Sequence, residues 1–383
     1  MEVNLETTGK LREYILNIQK PAVLKNILNS QLISWDLDQW QKELGSDLLK
    51  FRCGRNQFTQ NPQWESTCST KYSNFTEFLE SAKSNSHEWW YFDYKHLNQW
   101  LLNKENIQNN ITWTNLGFPE LNQSHSTIWI GSKGAHTPCH VDTYGCNIVL
   151  QVFGRKQWLL FPPEENLKPA RIPFEESSIY SKLNFFSPQI NKFKGVFHCH
   201  KVTLNPGEIL VVPNKWWHYV ENLETAISVN AWIPLPQDDF ERVKEGIASI
   251  FIGKALEHKN QMKEILLNPN MVEDIVNCND ALKIIRATRA KRHSDHKRNK
   301  PNEFSTAQPF RSDLKQISVD ICEVPVLSDI QFKDLLVSQA ERFENIEESK
   351  LPQNEDEEIV HFLNVITNDE VLSLIAKKMM EDL

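Results

Sequence analysis

The chain reads as an α+β protein with a mainly β core, a double-sheeted jelly roll, flanked by an N-terminal helical extension and a C-terminal helical region. Three observations predict this. Short β-rich runs recur between Ser126 and Ile233, bounded by turn residues such as Gly131-Ser132-Lys133-Gly134, Phe153-Gly154-Arg155 and Asn205-Pro206-Gly207. Strands of that length and spacing favour a barrel or jelly roll. All 12 Trp lie at or before Trp232 and all 12 Gly at or before Gly253, so an aromatic, turn-rich unit gives way to charged sequence. Helical periodicity flanks the β-rich stretch on both sides.

In chain order, residues 8–50 read as helices with short breaks. Leu11, Ile15 and Ile18 recur at helical spacing, as do Leu24, Ile27 and Leu28 after Pro21. Trp35-Asp36-Leu37-Asp38-Gln39-Trp40 resembles a capped helix start. Residues 74–103 again read as helical. Thr127–Ile130, Asn147–Phe153, Gln157–Phe161, Lys201–Leu204, Ile209–Val212 and Ala226–Ile233 are the predicted strands. Beyond Pro236, residues 238–268 read as an amphipathic helix. A basic run over 283–300 reads as a helix end followed by a linker, and helical periodicity returns over 312–383. The predicted organisation is an N-terminal helical extension packing on the barrel (1–125), the β core (126–235), a helical segment (236–282), a basic linker (283–311) and a C-terminal helical region (312–383).

Composition limits the function classes. With 40% hydrophobic residues, 12 Trp and 20 Phe, the 383 residues can bury a large core. A net charge of −8 gives no global attraction to nucleic acid or an anionic membrane, although the basic run leaves a local nucleic-acid contact open. The seven Cys are scattered without a C-x-x-C pair, which speaks against a disulfide framework and a structural zinc site. The N-terminus shows no secretory h-region, and no apolar run is long enough to span a bilayer. The expectation is a soluble protein of a reducing compartment, cytoplasmic with the nucleus left open.

The chemistry concentrates in few residues. His140-Val141-Asp142 places an imidazole and a carboxylate on one face of a strand, because side chains two apart share a face. His218 must arrive from another strand. Two His and one carboxylate with open positions form the facial triad of non-haem Fe(II) oxygenases. Lys156 begins an aromatic strand on the same face as Trp158 and Leu160, so it needs an anionic partner or a route to solvent. On the last predicted strand, Ser228, Asn230 and Trp232 share one face and Ile227, Val229 and Ala231 the other. His136 is expected to be structural, and His198 and His200 to sit on a solvated strand edge. Trp216-Trp217 reads as core and barrel rim.

From about Trp129 to Trp232 the chain resembles the JmjC (cupin-like) family of Fe(II)- and 2-oxoglutarate-dependent oxygenases, and is most similar to its small hydroxylase branch. The matching pieces are Thr137-Pro138-Cys139-His140-Val141-Asp142, Asn147, Gly154-Arg155-Lys156, Leu160-Phe161-Pro162-Pro163, Pro206-Gly207-Glu208, Trp216-Trp217-His218 and Ser228-Val229-Asn230-Ala231-Trp232. The resemblance implies a cupin-type double-stranded β-helix with His140, Asp142 and His218 as iron ligands. It implies that Lys156 and Thr137 bind the distal carboxylate of 2-oxoglutarate, with Tyr91 adding a hydrogen bond. Asn147 and Asn230 would help hold the cosubstrate, and Trp232 would pack beside His218. The implied reaction decarboxylates 2-oxoglutarate to succinate and CO2 and hydroxylates a substrate, with a protein side chain expected. Within the branch, Gly134–Asn147 and Arg171–Ser178 resemble a member associated with a small heat-shock protein. That implies such a partner and a role in stress responses. A catalytically inactive interaction protein, an RNA hydroxylase and an N-methyl-lysine demethylase stay open as alternatives. Branch members also imply a homodimer formed through the C-terminal helices.

Overall fold

Alternating side chains along short strands build two antiparallel sheets, as the computed structural model of the protein shows. It describes residues 5–27, 30–65, 68–84, 87–258, 278–298, 320–343 and 356–381. The strands are β1 (Ala22–Lys25), β2 (Leu49–Arg55), β3 (Ser69–Ser73), β4 (Glu88–His96), β5 (Ser126–Gly131), β6 (His136–Asp142), β7 (Cys146–Phe153) and β8 (Lys156–Phe161). They continue with β9 (Pro169–Glu175), β10 (Ser178–Ser181), β11 (His200–Leu204), β12 (Ile209–Val212), β13 (Trp217–Asn222), β14 (Ala226–Ile233) and β15 (Asp320–Glu323). One sheet has the order β15-β1-β12-β7-β14-β5-β4-β2-β3, the other β11-β8-β13-β6-β10-β9. The predicted jelly roll is observed. The strand predictions for Ile209–Val212 and Ala226–Ile233 hold to the residue.

Strand β14 shows how the layers form. Ile227, Val229 and Ala231 turn outward into the largest apolar core, with Ile128 and Ile130 of β5 and Ile148 and Leu150 of β7. The helices α1 (Leu5–Asn17), α2 (Leu37–Leu44) and α3 (Phe75–Lys83) cover that face with Leu11, Ile15, Trp40, Leu44, Phe75 and Phe78. Each such side chain contributes about 1.5–3 kcal/mol on full burial. Ser228, Asn230 and Trp232 turn the other way, into a cavity between the sheets. Helix α2 begins at the expected cap. Asp36 Oδ1 accepts from the Gln39 amide at 2.9 Å, and Gln39 Oε1 accepts from the Asp36 amide at 2.9 Å.

Four expectations fail, one of them in the C-terminal region, where residues 320–323 form β15 instead of helix. Residues 22–25 form β1, paired with β12 and β15, where helical spacing was expected. A run of three apolar residues fits either period, and pairing between two neighbours decides. Residues 88–96 form β4 rather than the middle of a helix. Its alternation sends Trp90 and Phe92 into the outer core and Trp89 and Tyr91 to the other side, where β2 and β5 flank it. After the short helices α4 (Leu97–Trp100), α5 (Glu105–Gln108) and the longer α6 (Asp238–Ala255), the basic run lies within α7 (Cys278–Arg298) and is no linker as far as residue 298. Helix α7 is held to α6 by Ile285, which is 1% exposed and packs at Gly246, and by Lys291 Nζ, 3.1 Å from Asp239. The helix expected over 238–268 ends at Ala255, and residues 259–268 lie outside the described residues.

Helices α8 (Asp329–Ala340), α9 (Asp356–Ile366) and α10 (Asp369–Glu381) complete the C-terminal region. Leu363, Leu372 and Ala376 are buried against Val243 and Ile247 of α6 and Ile172 and Phe174 of β9. Among the described residues no single helix is long and apolar enough to cross a membrane.

The tight turn between β7 and β8, where the chain passes from the larger sheet to the smaller, sets the start of the strand that bears Lys156. Its Gly154 has φ +61°, and a Cβ there would stand 2.1 Å from the Thr225 carbonyl oxygen. Gly154→Ala should therefore destabilise the fold by about 1–3 kcal/mol, read as a lower denaturation midpoint at unchanged m-value.

Candidate metal centre

Strand pairing brings the two predicted imidazoles together. On β6 and β13, His140 and His218 are register partners, and their rings lie 4.1 Å apart. Asp142, two residues along β6 from His140, reaches the same point. Its Oδ1 is 3.4 Å from His140 Nε2 and its Oδ2 is 3.8 Å from His218 Nε2. The candidate donor atoms all lie within 4.8 Å of one another, close enough to hold one ion. Both rings are pinned from behind. His140 Nδ1 donates to the Pro138 carbonyl at 2.9 Å and His218 Nδ1 to the Trp216 carbonyl at 3.0 Å. That fixes the tautomer and presents both Nε2 atoms to the cavity.

A polar relay on the inner face of the larger sheet holds the carboxylate. Trp232 Nε1 donates to Asp142 Oδ2 at 2.8 Å and Asn147 Nδ2 to the same oxygen at 3.3 Å. Asn230 Nδ2 donates to Asn147 Oδ1 at 2.9 Å, and Trp129 Nε1 to Asn230 Oδ1 at 2.7 Å. Both donors fall on Oδ2, so Oδ1 is left for an ion. Burial raises the Asp142 carboxyl, but the neighbouring His218, then His140, and the Trp232 indole outweigh it and hold it at about 2. Burial, then the His140 charge, lowers His218 to about 4.

Across the cavity lies an isolated cation. Lys156 is 1% exposed, and its Nζ donates to Ser228 Oγ at 2.8 Å and Tyr91 Oη at 3.3 Å. Thr137 shares a hydrogen bond with Tyr91. Among the described residues no carboxylate comes within ion-pair distance of Lys156, and burial lowers its ammonium to about 7. A buried lysine bonded only to neutral hydroxyls has room for an anionic partner. The cavity that joins it to the triad encloses about 470 Å³.

All the sequence-predicted site residues line this cavity: His140, Asp142, His218, Thr137, Lys156, Asn147, Asn230, Tyr91 and Trp232. One contact differs from expectation. Trp232 bonds Asp142, and the indole stacked on His218 is that of Trp158, with centroids 5.9 Å apart. Trp158 shares its inward face with Lys156, which was the available signal. Glu65, Tyr180, Tyr144, Glu176 and Arg242 also line the cavity and carried no role in the sequence reading. Tyr180 Oη donates to Glu65 at 3.1 Å and Tyr144 Oη to Glu176 at 3.1 Å. Tyr144 and Glu176 lie in the stretches Gly134–Asn147 and Arg171–Ser178 but at no spacing that gives them a role, and Glu65, Tyr180 and Arg242 sit in no motif, so only the fold brings them together.

His136, His198 and His200 lie outside the cavity lining. His136 is 1% exposed, stacked 4.1 Å from Phe186, with Nδ1 donating to the Gly134 carbonyl. His198 is exposed beside Glu165, as expected of an edge. His200 is instead buried, because its ring donates to the Val324 carbonyl and packs edge-on against Trp216.

Comparison with known proteins agrees with this geometry. A family profile described as "Cupin-like domain" matches residues 9–238. The chain belongs to the cupin-like domain family. Similar cupin-like proteins include HSPB1-associated protein 1 of Homo sapiens, 39% identical over 295 residues that cover 70% of this chain and 60% of that protein. The HSPB1-associated protein 1 homolog of Danio rerio is 35% identical over 301 residues, 72% of this chain and 65% of that one. The 2-oxoglutarate and iron-dependent oxygenase JMJD4 of Gallus gallus is 25% identical over 218 residues, 51% and 48% of the two chains. The chain thus spans about 60% of the length of the HSPB1-associated relatives it matches.

If the cupin-like cavity holds a divalent ion, removing the relay should loosen it without unfolding the sheet. Asn147→Ala is expected to weaken Co(II) affinity about ten-fold, and Asp142→Ala to abolish it, in a calorimetric titration.

Proposed function

We propose that the chain is an Fe(II)- and 2-oxoglutarate-dependent oxygenase of the JmjC hydroxylase type acting on a protein side chain. The observation that carries this reading is the pairing of a three-donor metal cluster with a buried, carboxylate-free lysine at the other end of one cavity. His140, Asp142 and His218 would hold the iron, and the donor set suits it: two neutral nitrogens and one oxygen, with positions left open. Lys156, with Thr137 and Tyr91, would hold the distal carboxylate of the 2-oxo acid, and Asn147 and Asn230 would line its path. When bound, iron and 2-oxoglutarate supply the oxidative chemistry that yields succinate, CO2 and a hydroxylated product. The protein's part is orientation and shielding. Trp158, Trp129 and Trp232 give the cavity apolar ring surface, which would strengthen the Lys156–carboxylate attraction.

The names of the HSPB1-associated relatives support a second reading, in which the chain binds a small heat-shock protein and the cavity is incidental. Co-purification of such a partner, unchanged in His140→Ala, would favour binding over catalysis.

Two outcomes follow from the oxygenase reading. With Fe(II), the protein should convert 2-oxoglutarate to succinate, and His140→Ala and Lys156→Met should each cut turnover at least about a hundred-fold; native protein without turnover sinks the reading. The pH dependence of cosubstrate binding follows from Lys156. Burial pushes its ammonium down to about 7, and only the charged form attracts a carboxylate. Binding should therefore take up a proton, and affinity should fall as pH rises from 6.5 to 8.5. Calorimetry in buffers of different ionisation enthalpy measures both, and affinity that is flat over this range contradicts it.

A further inference from the structure

The family match ends at residue 238, yet the segment from Asp320 to Phe343 is built into the back of the metal-bearing sheet. It enters as β15, pairing with β1 at the edge of the larger sheet. It then crosses to the smaller sheet, where Lys201 N donates to the Pro325 carbonyl at 3.1 Å and Leu327 N to the Cys199 carbonyl at 2.8 Å. Helix α8 follows, and its Phe332 and Leu336 are buried with Phe161, Trp217 and Tyr219 on the outer face of that sheet. The contacts end on Glu221. This carboxylate lies on β13 three residues after His218, its side chain 2% exposed, and its register partner on β6 is His136.

Glu221 accepts hydrogen bonds from Tyr219 Oη at 2.8 Å, Gln339 Nε2 at 3.3 Å and both terminal nitrogens of Arg342. Arg342 Nη2 also donates to the Phe186 carbonyl at 2.8 Å, its guanidinium lies 4.9 Å from the Phe186 ring, and that ring stacks on His136. One guanidinium therefore ties the partner positions Glu221 and His136 together. This matters because the β6–β13 ladder shifts register between His218 and Val220, beside the metal cluster. Where the ladder is irregular, side-chain contacts must fix the strands.

We propose that the segment Asp320–Phe343 is a working part of the metal unit, with Arg342 a positioning residue that holds β13 against β6 behind His218 and His140. The proposal rests on the metal reading of His140, Asp142 and His218, but not on oxygenase turnover. A buried carboxylate whose counter-charge is removed is costly, so the damage from losing Arg342 should reach the adjacent ladder.

The test uses the full chain and Co(II) as the probe. Arg342→Ala should bind Co(II) about ten-fold more weakly than the native chain, well below its melting temperature, with an altered visible spectrum at saturation. Arg342→Lys, which keeps the charge, should recover most of both. A folded Arg342→Ala with native affinity and spectrum overturns the proposal, even if its melting temperature falls. So does an Arg342→Lys protein as impaired as the alanine variant. If Arg342→Ala does not fold, Arg342→Gln replaces it under the same two readings. A native chain that binds no Co(II) removes the metal reading and this proposal together. One that binds Co(II) without turning over 2-oxoglutarate removes only the oxygenase reading.

Discussion

The register of β6 against β13 is the constraint on which the rest of the site depends. His218 opposite His140 puts two Nε2 atoms at one point, and the two-residue period of β6 adds Asp142. A slip of one residue between the two strands would turn either His140 and Asp142 or His218 to the apolar outer face, among Cys139, Val141, Trp217 and Tyr219. Burial of those four side chains thus enforces the polar geometry on the opposite face. The same logic orients β14, whose outward Ile227, Val229 and Ala231 leave Ser228, Asn230 and Trp232 facing the cavity.

The electrostatics of the cavity divide into two ends. At one, the Asp142 carboxylate is kept ionised by His218, His140 and Trp232 against the cost of burial. At the other, Lys156 lacks such support, and its ammonium is pushed down to about 7. An ion at the first end would meet an ionised carboxylate, and a dicarboxylate at the second would meet a cation with no carboxylate beside it among the described residues. The separation of a prepared anion and a prepared cation within one cavity suits a metal that chelates an acidic cosubstrate.

The sequence made the β core and the polar face of β14 legible, because alternation over eight residues has no helical counterpart. Alternation also put His140 and Asp142 on one face and Lys156 at a strand start, while the roles of these residues and of His218 were legible through the family resemblance. Strand β4 was not, although Trp89-Trp90-Tyr91-Phe92 alternates, because an aromatic run fits both periods until its neighbours are known. Strands β1 and β15 lie in stretches whose apolar spacing also fits a helix, and they exist because each adds to the edge of a sheet built elsewhere. Glu65 and Tyr180 reach the cavity from segments far apart in sequence, and no local pattern could pair them. The Trp158–His218 stack was within reach, since Trp158 follows Lys156 on the same face.

The most direct test of the account is a crystal structure of the protein soaked with Mn(II) and 2-oxoglutarate. The account predicts the metal on Nε2 of His140, Nε2 of His218 and Oδ1 of Asp142, with the distal carboxylate of the acid on Lys156 Nζ. A metal bound elsewhere, or an acid that leaves Lys156 bonded only to Tyr91 and Ser228, would contradict it.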